Sequence, residues 1–391
     1  MTLTYRPAVD DADFQSLVTF LKLSFNLPED VWPTFRSHVG PENFRGVFEG
    51  AEAVAGLAFY RTGHFLAGRA VPSAGLAAVA VAPHRRGEGA STQLLRGVLT
   101  ELAAEGFPLS TLYPSTQSVY RRVGFEVSGH RTQFAVPVVG IPARPRGTPL
   151  APLRPVDAQQ HARFHGMYAA WTATQSGALL RTPGLWTRVV RVRGGNHVQA
   201  WVAGDDEGYL IAEQVETGTL KYDLALRDVV ALTPRAADAF WALLAGHRTL
   251  AGRITWHGTE ACPWLARLGE TGVQPLAHWG WMARVLSVPG AFTARGYAPG
   301  ARGGLSLAVE DDLLPANTGA WQIDIDGGEA EVRRGGAGEL RLAARGLGPL
   351  LMGHLPATTL ARAGLLEGAP EALTRADALL AGPRPWLNEM F

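Results

Sequence analysis

Apolar and polar residues between positions 76 and 126 follow two different periods, and together they predict a strand, a helix and another strand. Residues 76–81 form a continuous apolar run typical of a buried strand, and residues 107–112 indicate a second short strand. Between the two segments, apolar residues recur on one face of a helix that ends before Gly106. This apolar face consists of Leu94, Leu95, Val98, Leu99 and Leu102. The segment is therefore predicted to fold as a β-α-β unit.

The turn that joins the first strand to the helix is rich in glycine and arginine. The start of a helix leaves several backbone N–H groups without partners, and the helix dipole adds positive potential there. Gly87 and Gly89 allow the backbone to approach a ligand closely, because they carry no Cβ. Arg85 and Arg86 add positive charge beside them. The turn is therefore a candidate binding site for a pyrophosphate.

Three kinds of phosphate-binding loop can be compared with this turn. A P-loop requires lysine, which the turn lacks, and a dinucleotide fingerprint requires a third glycine where Thr92 stands. The third pattern, Arg86-x-x-Gly89-x-Ser91 between a strand and a helix, resembles the coenzyme A loop of the GNAT acetyltransferases, Q/R-x-x-G-x-G/A. Ser91 departs from the usual glycine or alanine but is only slightly larger, so the loop is interpreted as a variant.

A second motif, Tyr120-x-x-x-Gly124-Phe125, follows where the same family keeps a tyrosine that faces the coenzyme thiol. Acetyl transfer to an amine requires a donor to the departing thiolate, and Tyr120 is the candidate acid. It also requires a backbone N–H group that faces the acetyl oxygen, which the strand at residues 79–81 can supply. Both motifs in this order predict an acetyl-CoA-dependent acetyltransferase.

Changes of pattern divide the chain into three parts. Strand and helix patterns alternate over residues 1–140, and a proline-rich stretch without periodicity follows, up to Pro155. Residues 150–289 repeat the order of elements, while residues 290–391 combine alternating strands with helices. The predicted fold class is therefore α+β (mixed α/β), with two tandem units and a C-terminal α+β module.

The second unit lacks a usable coenzyme loop. Arg191-x-x-Gly194-x-Asn196 has the spacing of the loop, but a strand follows it, so no helix start is available for a phosphate. We expect a duplicated but disabled acetyltransferase unit.

Composition and charge exclude several classes of protein. The 391 residues are 47% hydrophobic, yet no apolar run approaches the ~20 residues of a membrane span, and no signal peptide begins the chain. The net charge is +1 and the arginines are scattered, so no nucleic-acid partner is expected. A single cysteine, Cys262, is typical of a reducing cytoplasm. His161 and His165 have the spacing of a metal pair but no third ligand, so no metal is predicted.

The chain as a whole resembles the Eis-type (enhanced intracellular survival) N-acetyltransferases. The most specific resemblances are at residues 80–87, at residues 120–125 and at the apolar terminus, Phe391. This resemblance implies a GNAT domain at 1–140, a degenerate GNAT-like domain at 150–289 and a sterol-carrier-like domain at 290–391. It also implies a homohexamer and the acetylation of amines, including aminoglycosides and lysine side chains. In the family the terminal carboxylate, here that of Phe391, reaches the active site and serves as the base.

The terminus has physical features that suit this role. Trp386, Leu387, Met390 and Phe391 can dock on the protein, where most termini fray. A free α-carboxylate titrates at about 3.5 and an ammonium group at about 10, so the carboxylate is a poor base without desolvation or a relaying water. A purely structural role, in which Phe391 fills a groove, is the alternative.

The candidate site has three parts. The catalytic residues are Tyr120 and Phe391. Candidate acceptor contacts are Phe25, Asn26, Trp32 and Glu389, because acidic and aromatic groups suit cations. The candidate coenzyme contacts are Val79, Ala80, Val81, Arg86, Gly87, Glu88, Gly89, Ala90, Ser91, Thr92, Ser115 and Thr116. The predicted substrate is a polycationic small molecule such as an aminoglycoside; the alternatives are protein lysines, or a lipid-binding protein whose first domain senses coenzyme A.

Overall fold

Strands and helices alternate along the chain in the computed structural model, which describes residues 2–26, 31–142, 147–153, 158–191, 196–268 and 272–391. The strands are β1 Leu3–Pro7, β2 Phe44–Glu49, β3 Glu52–Leu66, β4 Arg69–Val81, β5 Leu109–Leu112, β6 Glu126–Pro137, β7 Leu150–Leu153, β8 His197–Ala203, β9 Gly208–Gly218, β10 Lys221–Ala231, β11 Ala251–Gly258, β12 Gln274–Val285, β13 Gly303–Glu310, β14 Gly319–Asp326, β15 Glu329–Arg334, β16 Leu340–Ala343 and β17 Glu367–Gly368. The helices are α1 Asp11–Phe25, α2 Val31–Val39, α3 Ala90–Ala104, α4 Gln117–Arg121, α5 Ala158–Thr172, α6 Pro183–Val190, α7 Pro234–Ala245, α8 Val288–Ala294, α9 Ala344–Met352, α10 Ala357–Arg362 and α11 Pro370–Leu379.

Two sheets carry these elements. The larger has twelve strands in the order β1-β2-β3-β4-β5-β12-β6-β11-β10-β9-β8-β7, and the smaller has five in the order β15-β14-β13-β16-β17. In the larger sheet β4 pairs with β5 in parallel, as does β10 with β11. Helices α3 and α7 make the crossovers that parallel neighbours require. The predicted mixed α/β class, with two similar units and a C-terminal module, is confirmed.

The two units share strands across their boundary. β12 pairs with β5 on one side and with β6 on the other, and β6 also pairs with β11. β12 of the second unit lies between β5 and β6, so the last strand of the first unit does not pair with β5. The first unit therefore depends on the second for its sheet, and the limits 1–140, 150–289 and 290–391 remain predictions.

Each unit contains a cleft where two parallel strands separate. β4 and β5 pair as far as Leu76 and Leu112, after which β4 continues alone on that side; this opening is the first cleft. A bulge follows at once in β4, where Ala78 has a φ of 53°. β10 and β11 pair as far as Ala225 and Thr255 and then separate, and a bulge again follows in β10; this opening is the second cleft.

Helix α3 buries the apolar face that the sequence predicts. Its five residues named above are all 0% exposed. Gly106, with a φ of 88°, ends the helix, and the N–H group of Phe107 donates to the carbonyl of Leu102 as in a Schellman motif. This packing directs the N-terminus of α3 toward the first cleft.

A buried ion pair connects the C-terminal module to the turn after α4, at the first cleft. The guanidinium of Arg284 in β12 binds both carboxylate oxygens of Asp311 at 2.6 and 2.7 Å. Its Nε also donates to the carbonyl of Val123 at 2.9 Å. A Cβ on Gly124 would lie 2.6 Å from the same Nε, so the turn after α4 needs glycine there. The turn that follows Tyr120 is thereby held in place.

His64 of the first unit connects to the second unit through a buried hydrogen bond. Its fully buried ring lies 2.8 Å from the carbonyl of Gly177 through Nδ1 and 3.0 Å from Oγ1 of Thr111 through Nε2. A neutral imidazole satisfies both partners, since Nδ1–H donates and Nε2 accepts. Burial lowers the pKa of His64 to about 4.

Acid is expected to weaken this junction. Because the imidazole titrates at 6.5 when unfolded and at about 4 when folded, the unfolded chain binds the proton first. The stability that this group contributes should be complete above about pH 6.5 and decline toward pH 4, by about 1.4 kcal/mol per pH unit. Urea unfolding at pH 7, 6 and 5 measures this slope. His64→Gln should be less stable at pH 7 but have a shallower slope; an equal slope would contradict the assignment.

Candidate active site

A cavity of about 500 Å³ occupies the first cleft. β4 forms one wall, the start of α3 the second, and the segment after β5 with α4 the third. The residues that line it are Ser24, Phe25, Val79, Ala80, Val81, Arg85, Arg86, Gly87, Gly89, Ala90, Ser91, Thr92, Ser115, Thr116, Val119, Tyr120 and Arg122. All predicted coenzyme contacts except Glu88 are among them, together with Tyr120.

The start of α3 is open to an anionic ligand. Gly89 is its N-cap with a φ of 86°, and no side chain caps the helix. Gly87 is also left-handed, with a φ of 89°. Both glycines are required by backbone conformation rather than by space, since a Cβ on either would meet nothing within 4 Å. Unpaired N–H groups at this end suit a pyrophosphate.

Only one of the two arginines predicted to add positive charge at the turn is available to a ligand. Arg85 lies between Glu49 and Glu88, at 2.8 and 2.7 Å, so its charge is already balanced. Glu88 thus orders the turn instead of lining the cavity. Arg86 lines the cavity, and so does Arg122, which no sequence motif indicated although it stands two residues after Tyr120.

Tyr120 lies on α4 with its side chain in the cavity and only 7% of its surface exposed. Burial raises its pKa to about 12, so the hydroxyl stays protonated and remains a donor at neutral pH. The ring packs edge-on against Phe125, whose N–H group donates to the carbonyl of Tyr120. The ring packing and the hydrogen bond together hold the hydroxyl at the wall of the cleft.

The C-terminal residue lies at the point where β4 and β5 begin to separate. A Cβ on Gly75 would lie 2.7 Å from Cε2 of Phe391, so the ring rests directly on the β4 backbone. Tyr60 and Tyr113 flank the ring edge-on, with centroids at 6.4 and 5.6 Å. The isolated Gly75 in an apolar strand is the sequence signal of such a close approach.

The terminal segment is held by contacts along its whole length. Its carbonyl oxygens accept hydrogen bonds from side chains of both units, and its N–H groups pair with backbone carbonyls. These contacts are His130 N to Pro385 O, Trp386 N to Ser176 O, Leu387 N to His130 O, Arg131 Nε to Asn388 O, Tyr113 Oη to Glu389 O and Arg188 Nη2 to Met390 O. Hydrogen bonds therefore hold the terminus as far as Met390.

The predicted acceptor contacts do not form one cluster. Phe25 lines the coenzyme cavity, and Asn26 ends α1 in the left-handed conformation. Trp32 is 2% exposed and packs on Phe35, so it belongs to the core, while residues 27–30 lie outside the described residues. The carboxylate of Glu389 binds Arg181 at 2.5 Å and is only 9% exposed.

Other sequence candidates have structural explanations. The ring of His165 packs on Trp186, whereas the side chain of His161 lies outside the described part of the chain. Within the described ranges no three potential ligands cluster around a metal site. Burial raises the pKa of the Cys262 thiol, which opposes a nucleophilic role. None of the helices in those ranges has both the length and the hydropathy to cross a membrane.

Comparisons with known proteins agree with this geometry. Family models of acetyltransferase (GNAT) domains match residues 4–128 and 177–285, and a sterol carrier protein domain matches residues 288–388. An uncharacterized N-acetyltransferase of Streptomyces avermitilis is 30% identical over 83% of each chain. N-acetyltransferase Eis of Mycobacterium tuberculosis is 28% identical over 91% of this chain and 96% of that protein. A GCN5-related N-acetyltransferase from Anabaena variabilis is 31% identical with a TM-score of 0.95, over 100% of both chains.

The fold and the first cleft define an acetyltransferase of the GNAT class. The chain belongs to the Eis-type N-acetyltransferases within that family, as its sequence resemblance predicts. Acetyl-CoA is the cosubstrate that this fold implies, and the open start of α3 with Arg86 fits its diphosphate. Arg122 and the three arginines around the terminus, Arg131, Arg181 and Arg188, are features that the motifs alone did not reveal.

Proposed function

We propose that the enzyme transfers the acetyl group of acetyl-CoA directly to a primary amine of a polycationic small molecule, such as an aminoglycoside. Tyr120, in the place of the acid, is the proposed hydrogen-bond donor to the departing sulfur, and the carboxylate of Phe391 is the proposed base. The observation that carries the proposal is that both residues lie near the point where β4 and β5 separate. Tyr120 lines the cavity beyond the last β4–β5 pair, and Phe391 rests on Gly75 just before it.

The acetyl oxygen gains negative charge as the amine attacks, so it needs a fixed donor. β4 has no neighbour on the β5 side beyond Leu76, and Val79, Ala80 and Val81 line the cavity there. Backbone N–H groups of this segment are the proposed donors. The bulge at Ala78 re-aims the strand at the required place.

Tyr120 stabilises the departing sulfur as a hydrogen-bond donor. A thiol titrates at about 8.5, far below the pKa of about 12 of the buried hydroxyl. Complete transfer of its proton would therefore be uphill, and solvent supplies the proton after the thiolate leaves. Tyr113, the other tyrosine nearby, is excluded from this role because its hydroxyl donates to Glu389 O at 2.8 Å.

The carboxylate of Phe391 accepts the proton of the attacking ammonium group, directly or through a water. The rings of Tyr60 and Tyr113 flank the ring of Phe391, and aromatic faces suit a cation. Three arginines lie close to the terminus: one is paired with the carboxylates of Asp228 and Glu389, and the other two donate to the carbonyls of Asn388 and Met390. These arginines are Arg131, Arg181 and Arg188.

A side-by-side acceptor assay tests the proposed substrate class. Thiol release from acetyl-CoA is measured with an aminoglycoside, a lysine-containing peptide and a simple alkyl monoamine, each at the same amine concentration. We expect the highest kcat/KM with the aminoglycoside. Preference for the peptide would instead support protein acetylation. Tight binding of coenzyme and of an apolar lipid without transfer to any amine would support the lipid-binding alternative.

Tyr120→Phe is expected to lower kcat by about 100-fold while the affinity for acetyl-CoA persists, because only the donor to the sulfur is lost. Steady-state kinetics and calorimetric titration with acetyl-CoA measure the two quantities. Tyr222→Phe, which removes a hydroxyl 2.8 Å from His247 in the second unit, is the matched control. Full activity of Tyr120→Phe would remove the tyrosine from the mechanism.

The proposal also includes the oligomeric state of the enzyme and its cellular compartment. The enzyme is proposed to form a homo-oligomer, a hexamer by resemblance, in the cytoplasm. Leu276 and Trp279 on β12 are 43% and 36% exposed and offer an apolar surface to another subunit. The free thiol of Cys262 is compatible with a reducing compartment. Light scattering after gel filtration determines the mass of the assembly.

A further inference from the structure

The second cleft has the strand geometry of the first but lacks its anion site. The connection from β10 to α7 is short, and the hydroxyl of Thr233 caps α7 by accepting from the N–H group of Ala236. The same hydroxyl donates to Glu207 at 2.6 Å, which places a carboxylate beside the helix start. The cap already uses one N–H group of the helix start, and Pro234 has none to offer, so the second cleft does not suit a coenzyme diphosphate.

The terminal segment of the chain enters this second cleft. A cavity of about 1510 Å³ lies there, and Trp386 and Asn388 form part of its wall together with Leu226 and Asp228 of β10. The side chain of Asn388 donates to the carbonyl of Arg227 at 2.8 Å and to Asp228 at 3.2 Å. The bulge of β10 thus faces the terminal segment, whereas the bulge of β4 faces the coenzyme cavity.

Arg181 connects the second cleft to the terminus. Its guanidinium is 1% exposed and pairs with Asp228 and with Glu389, both at 2.5 Å. The hydroxyl of Tyr209 donates to Asp228 at 2.7 Å, so the carboxylate on the cleft side is itself fixed. Burial disfavours the charge of Arg181, but the two carboxylates hold its pKa above the ordinary value. Glu389 stands two residues before Phe391, and its position limits where the last residue can lie.

The main chain of the segment is bound in the manner of an added strand. Residue Trp386 forms a parallel bridge with His130 of β6, whose N–H and C=O groups bind Pro385 and Leu387. On the other side, the N–H group of Trp386 donates to Ser176, and Gly177 approaches so closely that a Cβ would lie 2.7 Å from that nitrogen. Backbone pairing with pockets for alternate side chains is how proteins bind extended peptides.

We propose that the second cleft is a peptide-binding site whose ligand is the chain's own segment 385–391, and that Arg181 is the positioning residue that places Phe391 by binding Glu389. The disabled unit then contributes to catalysis by docking the terminus of the chain. The consequence for turnover rests on the proposed role of the Phe391 carboxylate, whereas the docking itself does not.

The test uses the full chain with Arg181→Met, Glu389→Gln and both together. The rate at which carboxypeptidase releases Phe391 measures how firmly the segment is docked. The values of kcat and of KM for acetyl-CoA measure the effect on turnover. Loss of one partner of a buried ion pair should speed release by about 30-fold or more in either single variant. The double variant should be no faster than the faster single one, since both remove the same pair. We expect kcat to fall in parallel and KM for acetyl-CoA to stay unchanged.

Arg163→Met is the matched control, because Arg163 forms an exposed ion pair with Asp206 in the same unit. It should leave both release and kcat unchanged. If Arg181→Met fails to fold, Glu389→Gln carries the test alone, since it leaves the Arg181–Asp228 pair intact. If Glu389→Gln releases Phe391 at the wild-type rate, the inference is wrong, whatever happens to kcat. Faster release with unchanged kcat supports the docking and contradicts the Phe391 carboxylate as the base.

Discussion

Deleting Phe391 is expected to lower kcat by about 100-fold or more while acetyl-CoA still binds, because a positioned base typically contributes at least that much. The coenzyme cavity is lined by β4, α3 and α4, and Phe391 is not among its lining residues. Deletion leaves Met390 as the terminus, still held through its carbonyl by Arg188. Single-turnover kinetics with an aminoglycoside and calorimetry with acetyl-CoA measure the two effects.

A second variant separates the carboxylate from the ring. Extension of the chain by one alanine keeps the Phe391 ring but moves the free carboxylate by about 3.5 Å. This variant should lose activity nearly as severely as the deletion. Phe391→Leu, which keeps the carboxylate, should retain more activity than either. If the deletion and the extension both turn over at the wild-type rate, the terminus has no part in the chemistry.

Gly75→Ala is expected to reduce kcat by about 100-fold with little change in thermal stability. The added Cβ would lie 2.7 Å from Cε2 of Phe391, and the ring at the free end of the chain can move away. A displacement of about 1 Å at a reacting group can cost that much in rate. The thermal midpoint should remain close to that of the wild type, because the displaced atoms belong to the terminus.

Gly218→Ala is the control, since it adds a methyl group to a strand where nothing lies within 4 Å. It should leave kcat and the thermal midpoint unchanged. Gly75→Ala with wild-type turnover would contradict the requirement for close contact between Phe391 and β4. A large drop in thermal midpoint would instead show that Gly75 serves the sheet.

Residues near one another in sequence were predicted well, because local rules govern them. The apolar face of α3, its stop at Gly106 and the open turn at Gly87 and Gly89 depend on helix period and backbone conformation alone. The predicted lining of the coenzyme cavity, apart from Glu88, lies within two such local segments and the turn after β5.

Charged and aromatic residues were harder to assign, because their roles depend on distant partners. Glu389 was expected to bind substrate, but it is committed to Arg181, which lies more than two hundred positions earlier in the sequence. Trp32 was expected near the acceptor and is in the core. Arg85 was expected to supply free charge, yet Glu49 neutralises it from β2.

By itself the sequence determined the class of the protein: a strand, an open glycine-rich turn, a helix and a tyrosine motif, which local backbone and periodicity rules specify. Tertiary structure alone decided that β12 of the second unit completes the sheet of the first, and that the terminus passes through the second cleft to Gly75. Strand neighbours and buried ion pairs form between residues far apart in the chain, and no local pattern encodes which distant partner each will meet.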